Sequence, residues 1–167
     1  MTPEHAQLLE SLLTDQPVGS LSVLLDGEPY VGMVPYAATS DYASLLIHAS
    51  DLAKHSAGLT DDAPFAFLLY PPFAPTASVL QIPRVSFQGV VQMLSRDDAA
   101  YLSAKETYIS KHPSSAQIFS FRDFNLYALH IRKGRFVAGF GKTYNVTLPA
   151  LKKLSRGEDS ETTNIQE

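Results

Sequence analysis

Apolar residues recur with a helical period near the N-terminus and then gather in short runs along most of the chain. The spacing of Leu8, Leu9, Leu12 and Leu13 predicts a helix over residues 4–13. The apolar runs that follow are bounded by turn residues and predict four strands, over residues 19–25, 29–37, 42–49 and 63–70. Asp26-Gly27 predicts a tight hairpin turn between the first two strands.

The second half of the chain continues the same alternation of strands and short helices. A helix capped by Ser95 is predicted to run to His112-Pro113. The remaining predicted elements are a helix over 51–59, a loop over 73–76, one or two strands over 79–94 interrupted at Pro83, a helical turn over 114–119, a hairpin of strands 125–131 and 135–140 around Lys133-Gly134, and a helix over 148–154.

Many short strands joined mostly by hairpins, with a few helices between them, indicate a mainly β fold of the α+β type. We predict an antiparallel barrel with added helices. Residues 1–154 are expected to form a single domain. From Ser155 the chain is polar and charged, which predicts a disordered C-terminal tail over residues 155–167.

Composition excludes several classes of protein. The 167 residues are 45% hydrophobic and 18% charged, as in an ordinary globular domain. The sequence contains no cysteine, which rules out disulfides, thiolate metal ligands and a cysteine nucleophile. A net charge of −4 argues against nucleic acid as a partner. With no apolar run of membrane-spanning length and no signal-peptide pattern at the N-terminus, we expect a cytoplasmic protein that does not insert into membranes.

Known catalytic and metal-binding motifs are not found. There is no Gly-x-Ser-x-Gly nucleophile motif, and no pair of the five histidines has a spacing typical of metal ligands. A dinucleotide-binding fingerprint is also missing. The histidine spacing therefore predicts no metal site. No side chain stands out as a catalytic acid or base, so no catalytic residue is assigned from the sequence.

Lys54 is the most informative cation in the sequence. It is the only Lys or Arg among residues 1–83, which carry nine acids. The segment from Ile47 to His55 predicts a strand that runs into a helix capped by Ser50. The free N–H groups at a helix start favour an anion, and Lys54, His55 and Ser50 add a charge and donors, so a phosphate suits this position. Arg84, which begins the strand segment up to Gly89, offers a second cation. The alternative is that both cations are solvated surface residues.

Four segments together resemble the FMN-binding split-barrel proteins, the pyridoxamine 5′-phosphate oxidase-like superfamily, and look most similar to its haem-utilisation (HugZ-like) branch. Each motif is weak by itself, but their order and spacing are specific. The segments are Gly19 to Tyr36 with its Asp26-Gly27 turn, Ile47 to Leu59, Arg84 to Gly89, and His112-Pro113 to Gly139-Phe140-Gly141.

The resemblance implies a split antiparallel β-barrel that forms a homodimer, with FMN at the interface of the two chains. Ala53-Lys54-His55 aligns with the Ser-Arg-Lys triplet that binds the FMN phosphate in the oxidases. Arg84 aligns with a residue that contacts the flavin. The second strand lines the flavin ring in this family, which places Val34 and Tyr36 against it, and Ser50 is expected to assist at the phosphate.

These features favour a flavoprotein oxidoreductase with an unknown small-molecule substrate. A second hypothesis is a haem- or small-molecule-binding protein that has kept the fold without flavin catalysis. It is motivated by His55, which stands where the phosphate-binding triplet of the oxidases has its second basic residue. A third is a dimerisation or regulatory domain without a cofactor. The resemblance to haem-degrading members, which use a C-terminal histidine, does not extend to this feature: no histidine follows His130 in the sequence, so we expect no haem ligation of that kind.

Overall fold

The computed structural model describes residues 1–72 and 78–158. The predicted loop over 73–76 lies outside the described residues, and so do residues 159–167 of the predicted tail. Of that tail, residues 155–158 continue from the last helix as a hydrogen-bonded turn, in which the Glu158 N–H donates to the Lys153 carbonyl at 3.0 Å.

The fold is an antiparallel β-sheet that curls into a split barrel and carries helices on its surface. Its strands are β1 (Val18–Leu25), β2 (Glu28–Pro35), β3 (Ala37–Ala38), β4 (Ser44–Ser50), β5 (Pro64–Leu69), β6 (Arg84–Leu94), β7 (Phe124–Gly139) and β8 (Lys142–Thr147). The α-helices are α1 (Pro3–Thr14), α2 (Ala99–Lys111) and α3 (Leu148–Leu154), and short 3₁₀ helices span Lys54–Gly58, Val79–Gln81 and Pro113–Ser120.

The strand order is β2-β1-β5-β6-β7-β4-β3, with β8 also paired to β7. The first half of β7 pairs with β4 and the second half with β8, so the sheet splits along this long strand. This architecture confirms the predicted split antiparallel barrel with added helices.

Helix α1 forms where the leucine spacing predicts it. Thr2 precedes the helix, and its hydroxyl accepts a hydrogen bond from the His5 N–H at 3.3 Å. Pro3 suits the first turn, where its missing N–H costs nothing. Leu9, Leu12 and Leu13 are buried in the main hydrophobic cluster, so α1 closes one side of the barrel interior.

Two hydrophobic clusters hold the sheet from opposite faces. The main cluster fills the concave face and includes Phe67, Phe87 and Phe136, all almost fully buried. The second cluster lies beneath α2 and the 3₁₀ helix Pro113–Ser120, where Tyr108 and Phe119 cover the outer side of β4 and β7. The remainder of the outer face has no such cover among the described residues.

Several sequence predictions are wrong in detail. The predicted helix over 51–59 is reduced to the 3₁₀ helix Lys54–Gly58. Helix α2 is capped by Asp98, whose side chain accepts from the Ala100 N–H, and not by Ser95. The apolar stretch over 79–94 divides at Pro83 into a 3₁₀ helix and β6, because proline cannot donate to the strand ladder.

The predicted hairpin around Lys133-Gly134 does not exist. β7 runs through these residues without a break, and the chain turns instead after Gly139, at Phe140 and Gly141. Gly134 serves packing and not turning, since a Cβ there would lie 2.7 Å from the Phe87 ring. Its small size lets the Phe87 ring cover the backbone of the neighbouring strand.

A β-bulge interrupts the pairing of β6 with β7. Gln88 pairs with Lys133 and Gly89 with Ile131, which leaves Arg132 without a partner in the ladder. The strands approach so closely here that a Cβ on Gly89 would lie 1.8 Å from the His130 carbonyl oxygen. Only glycine fits at this position.

None of the helices in the described part of the chain combines the length and the apolar character that a membrane span requires.

Candidate functional site

A surface cavity of about 520 Å³ lies between the β1–β2 hairpin and the segment that follows β4. The hairpin turn is tight, with Asp26 and Gly27 both at positive φ, as the sequence predicts. The cavity is lined by Leu24, Leu25, Asp26, Glu28, Pro29, Tyr30, Asp51, Leu52, Ala53, Lys54 and Ala57.

Lys54 is the one cation in the lining of this cavity. Its side chain is exposed, and its Nζ lies 5.1 Å from the centroid of the Tyr30 ring. Within the described residues it makes no ion pair. Asp26, Glu28 and Asp51 line the same cavity, so an anion bound here would meet one positive and three negative side chains.

His55 is turned away from the cavity and packs over β2. A Cβ on Gly32 would lie 3.5 Å from its Nδ1, which places the imidazole next to that strand. Its Nε2 is buried and has no hydrogen-bond partner among the described residues. Burial lowers the pKa of His55, so the ring is neutral at pH 7 and adds no charge for a phosphate.

Ser50 does not cap a helix, which corrects the sequence prediction. Ala53 precedes the 3₁₀ helix and makes no side-chain cap. The Ser50 hydroxyl donates to the Asp123 carboxylate at 2.8 Å and accepts from the Leu52 N–H at 3.1 Å. Ser50 therefore ties the end of β4 to the start of β7. The predicted helix N-terminus, the basis for an anion site here, is missing because the helical segment is a single short turn.

Val34 and Tyr36 face the barrel interior. Val34 is 4% exposed and Tyr36 is fully buried, with its hydroxyl donating to the carbonyls of Leu12 and Leu13 at 2.8 and 3.0 Å. These side chains pack β2 and the residue after it against α1. As packed in this chain, neither presents a surface to a flavin ring.

The outward-facing side chains of β2 form an exposed apolar surface that the sequence analysis did not predict. Val31 and Met33 alternate with the buried positions and are 63% and 74% exposed. Because successive side chains of a strand point to opposite faces, the sequence does indicate that Val31 and Met33 share one face and Val34 lies on the other. The sequence alone does not say which of these two faces packs against the core, since both contain apolar residues.

Arg84 begins β6 and is exposed, with its Nη1 donating to the Ile82 carbonyl at 3.1 Å. In the sheet order, β1 and β5 lie between β2 and β6. No contact or cavity of the described residues joins Arg84 to Lys54. The structure therefore brings Lys54, His55 and the backbone of β2 together and leaves Arg84 elsewhere.

His48 lies among three aromatic rings, a surrounding that the sequence analysis did not predict. Its ring stacks on Phe119 with centroids 3.8 Å apart, with Tyr108 and Phe124 at 5.9 and 5.2 Å. Its Nε2 is buried and has no hydrogen-bond partner among the described residues. Burial, followed by the charges of Arg96 and Lys105, lowers the pKa of His48 to about 4.

We expect His48 to make the protein less stable as the pH falls from about 6.5 toward 4. The unfolded chain takes up a proton on this ring near its ordinary pKa, whereas the folded ring resists until about pH 4. Between pH 7 and 5 the cost is about 1 kcal/mol, after allowance for the part of the ring that water reaches. Urea unfolding at both pH values should show a smaller loss for His48→Phe than for wild type. Equal losses would contradict the assignment.

No set of three or more histidines, cysteines, aspartates and glutamates in the described ranges is placed to hold a metal ion. The groups available for chemistry near the cavity are therefore one amine, three carboxylates and a phenol. This set can hold a ligand in place but contains no nucleophile–base pair.

Comparison with known proteins identifies the family. The model of the family described as CREG, beta-barrel matches residues 3–152. No curated protein sequence matches the chain.

Solved structures share the fold. A heme binding protein from Mycobacterium smegmatis matches with a TM-score of 0.77 and 23% identity, over 91% of this chain and 61% of its own length. ChuZ from Campylobacter jejuni matches with a TM-score of 0.75 and 18% identity, over 99% of this chain and 63% of its own length. A FAD-binding protein from Mesorhizobium loti matches with a TM-score of 0.60 and 15% identity, over 82% of this chain and 96% of that one.

These identities show a common fold and nothing more specific, and the chain spans less than two thirds of the first two proteins. The family match covers nearly the whole described chain, and the sheet order is that of a split barrel. The chain belongs to the CREG β-barrel family.

Proposed function

We propose that this protein is a flavin-binding homodimer, with FMN as its cofactor, and that it acts as an oxidoreductase in the cytoplasm. The observation that carries the proposal is the edge strand β2. It runs from the cavity that holds Lys54 to the exposed apolar side chains of Val31 and Met33. The apolar side chains of this strand suit the flat ring of a flavin, and the cation beside them suits the phosphate of FMN.

Lys54 is the residue that fits the flavin phosphate. Its amine is exposed and makes no ion pair among the described residues, so it is free to contact an anion. Asp26, Glu28 and Asp51 oppose a phosphate in the same cavity, which makes the affinity depend on this one charge. His55 would hold the 3₁₀ turn against Gly32 and so position Lys54.

The flavin supplies hydride and electron transfer when it is bound, and the protein supplies binding and orientation. The unpaired edge of β2 offers backbone N–H and C=O groups for a ring, and Val31 and Met33 offer apolar contact. No described side chain near the cavity is placed to move a proton between substrate and flavin, so we assign no catalytic acid or base.

A second copy of the chain fits the proposal because a single copy leaves the apolar side chains of β2 uncovered. Val31 and Met33 lie on the outer face of the sheet, where described residues provide no cover. Arg84 would reach a flavin only from the partner copy, since it lies apart from Lys54 within one chain.

Haem binding is the alternative function. It is favoured by the unpartnered Nε2 atoms of His48 and His55, since neutral imidazole nitrogens are haem ligands. One of the similar structures is a heme binding protein, which supports the same alternative.

Lys54→Ala is expected to weaken FMN binding by about tenfold or more, because a charged contact to phosphate is lost and only carboxylates remain in the cavity. The measurement is FMN fluorescence quenching on titration with purified protein. Lys142→Ala is the matched control, since Lys142 is exposed on β8 and does not line the cavity. Riboflavin, which lacks the phosphate, should bind the wild type and Lys54→Ala with similar affinity.

Gel filtration and absorbance spectra complete the test. Flavin bands that co-elute with a dimer-sized peak support the proposed function. Wild-type protein that retains no flavin contradicts it, and a Soret band on addition of haem would then favour the alternative. Equal FMN affinity of Lys54→Ala and wild type would reject Lys54 as the phosphate contact while leaving flavin binding intact.

A further inference from the structure

The outer face of β6, β7 and β8 carries a strong positive charge in a chain that is acidic overall. These three strands contain no aspartate or glutamate, although the net charge of the chain is −4. Three exposed cations lie close together on β7: Arg132, Lys133 and Arg135. We call these three residues the basic stripe.

The β-bulge aligns the stripe. Ile131 and Phe136 both belong to the main core, so residues on either side of the bulge alternate from an inward position. Alternation from Ile131 places Arg132 on the outer face, and alternation from Phe136 through Gly134 places Lys133 and Arg135 there. Without the bulge, Arg132 and Lys133 would point to opposite faces, so the extra residue adds one cation to the outer face.

The charges of the stripe have no opposite charge beside them. The ion pairs found within residues 1–72 and 78–158 are Lys152–Asp41 and Arg156–Glu158, neither of which involves the stripe. The side chains of Arg132 and Lys133 make no hydrogen bond within those ranges. Arg135 donates from Nη1 to the Asn145 side chain at 2.8 Å, which leaves most of its five donors unused.

Neutral hydrogen-bonding groups surround these cations. In the ladder, Arg135 lies opposite Ser86 and Lys133 opposite Gln88, and both partners are exposed. Asn145 follows on β8, opposite Arg135. Cations, hydroxyl groups and amide groups that alternate on a rigid sheet can donate hydrogen bonds to the oxygens of phosphate or carboxylate. The planar guanidinium groups of arginine can each donate two hydrogen bonds to one such group.

We propose that the basic stripe is a binding site for a small polyanion that carries phosphate or carboxylate groups. The site is distinct from the Lys54 cavity, because no residue of the stripe lines that cavity and β5 separates β1, which borders the cavity, from β6 and β7. The proposal therefore stands whether or not the protein binds flavin. A small ligand fits better than a nucleic acid, since residues 1–83 carry nine acids and one base and would repel an extended phosphate backbone.

Isothermal titration calorimetry with pyrophosphate and with citrate tests the proposal at low ionic strength, where surface charges are least screened. Wild type should bind at least one of the two anions. The double variant Lys133→Gln/Arg135→Gln should bind it about tenfold or more weakly, since two charged contacts are lost. Lys152→Gln/Lys153→Gln removes two charges from α3 instead and should bind within about twofold of wild type, because exposed charges act weakly at a distance.

Binding of neither anion, or equal weakening in both double variants, would overturn the proposal. So would tighter binding of a single-stranded oligonucleotide than of pyrophosphate, which would assign the stripe to nucleic acid. Comparison of pyrophosphate with citrate tells phosphate from carboxylate ligands. Flavin titration of the same variants separates the two proposals: intact flavin binding with lost anion binding identifies a site independent of the flavin.

Discussion

Gly89→Ala is expected to destabilise the protein by about 4 kcal/mol, at the upper end of single-residue effects. An alanine Cβ would lie 1.8 Å from the His130 carbonyl oxygen, and a backbone atom in a paired strand cannot move aside as a side chain can. Relief would require β6 and β7, the two longest strands of the sheet, to separate or slip in register. Urea unfolding followed by circular dichroism measures the loss.

Gly32→Ala is the matched control for this prediction. Gly32 also lies within a strand, but a Cβ there would lie 3.5 Å from the nearest atom, the Nδ1 of His55, which is ordinary contact. We expect a change within about 1 kcal/mol, since alanine in a strand differs little from glycine where space exists. If Gly89→Ala unfolded at the same urea concentration as Gly32→Ala, the conclusion that β6 and β7 leave no room for a Cβ at Gly89 would be contradicted.

Phe119→Ala is expected to cost about 3 to 5 kcal/mol, because it opens a cavity in the second hydrophobic cluster. Phe119 is 4% exposed and lies between His48, stacked at 3.8 Å, and Lys105, whose Nζ lies 5.3 Å from the ring centroid. Its loss also exposes the His48 ring to water. The pH dependence of stability assigned to His48 should therefore shrink in this variant, which unfolding at pH 7 and 5 measures.

Phe121→Ala separates this effect from a general loss of aromatic surface. Phe121 lies two residues further along and is 52% exposed, packing edge-on against Phe124 at 6.1 Å. Its truncation should cost less than about 1 kcal/mol, since little apolar area leaves the interior. Comparable losses for the two variants would contradict the assignment of Phe119 to the second cluster.

The two clusters lie at different distances from the proposed flavin site. The main cluster shapes β1 and β2 and so positions the Lys54 cavity and the exposed side chains of Val31 and Met33. The second cluster anchors α2 and the 3₁₀ helix Pro113–Ser120, and His48 lies at its edge. Phe119→Ala should therefore leave the proposed flavin binding of the folded protein unchanged, a further difference from Lys54→Ala.

Local patterns in the sequence determined most elements of the fold. The leucine period of α1, the Asp26-Gly27 turn and the apolar runs of β1, β4 and β5 all appear where they are predicted, within a few residues. Such features depend on neighbouring residues and on backbone preferences, which are written in the sequence itself. The order and spacing of the motifs also predicted the split-barrel fold correctly.

Tertiary structure alone decided which predicted site residues come together. Val34 and Tyr36 point inward because α1 packs on that face of β2, and the Ser50 hydroxyl is held by Asp123, far away in sequence. Lys133-Gly134 continues a strand because Phe87 of β6 packs on the glycine. The choice of strand face, the bulge and the pairing partners depend on contacts between distant segments, which periodicity within one segment does not contain.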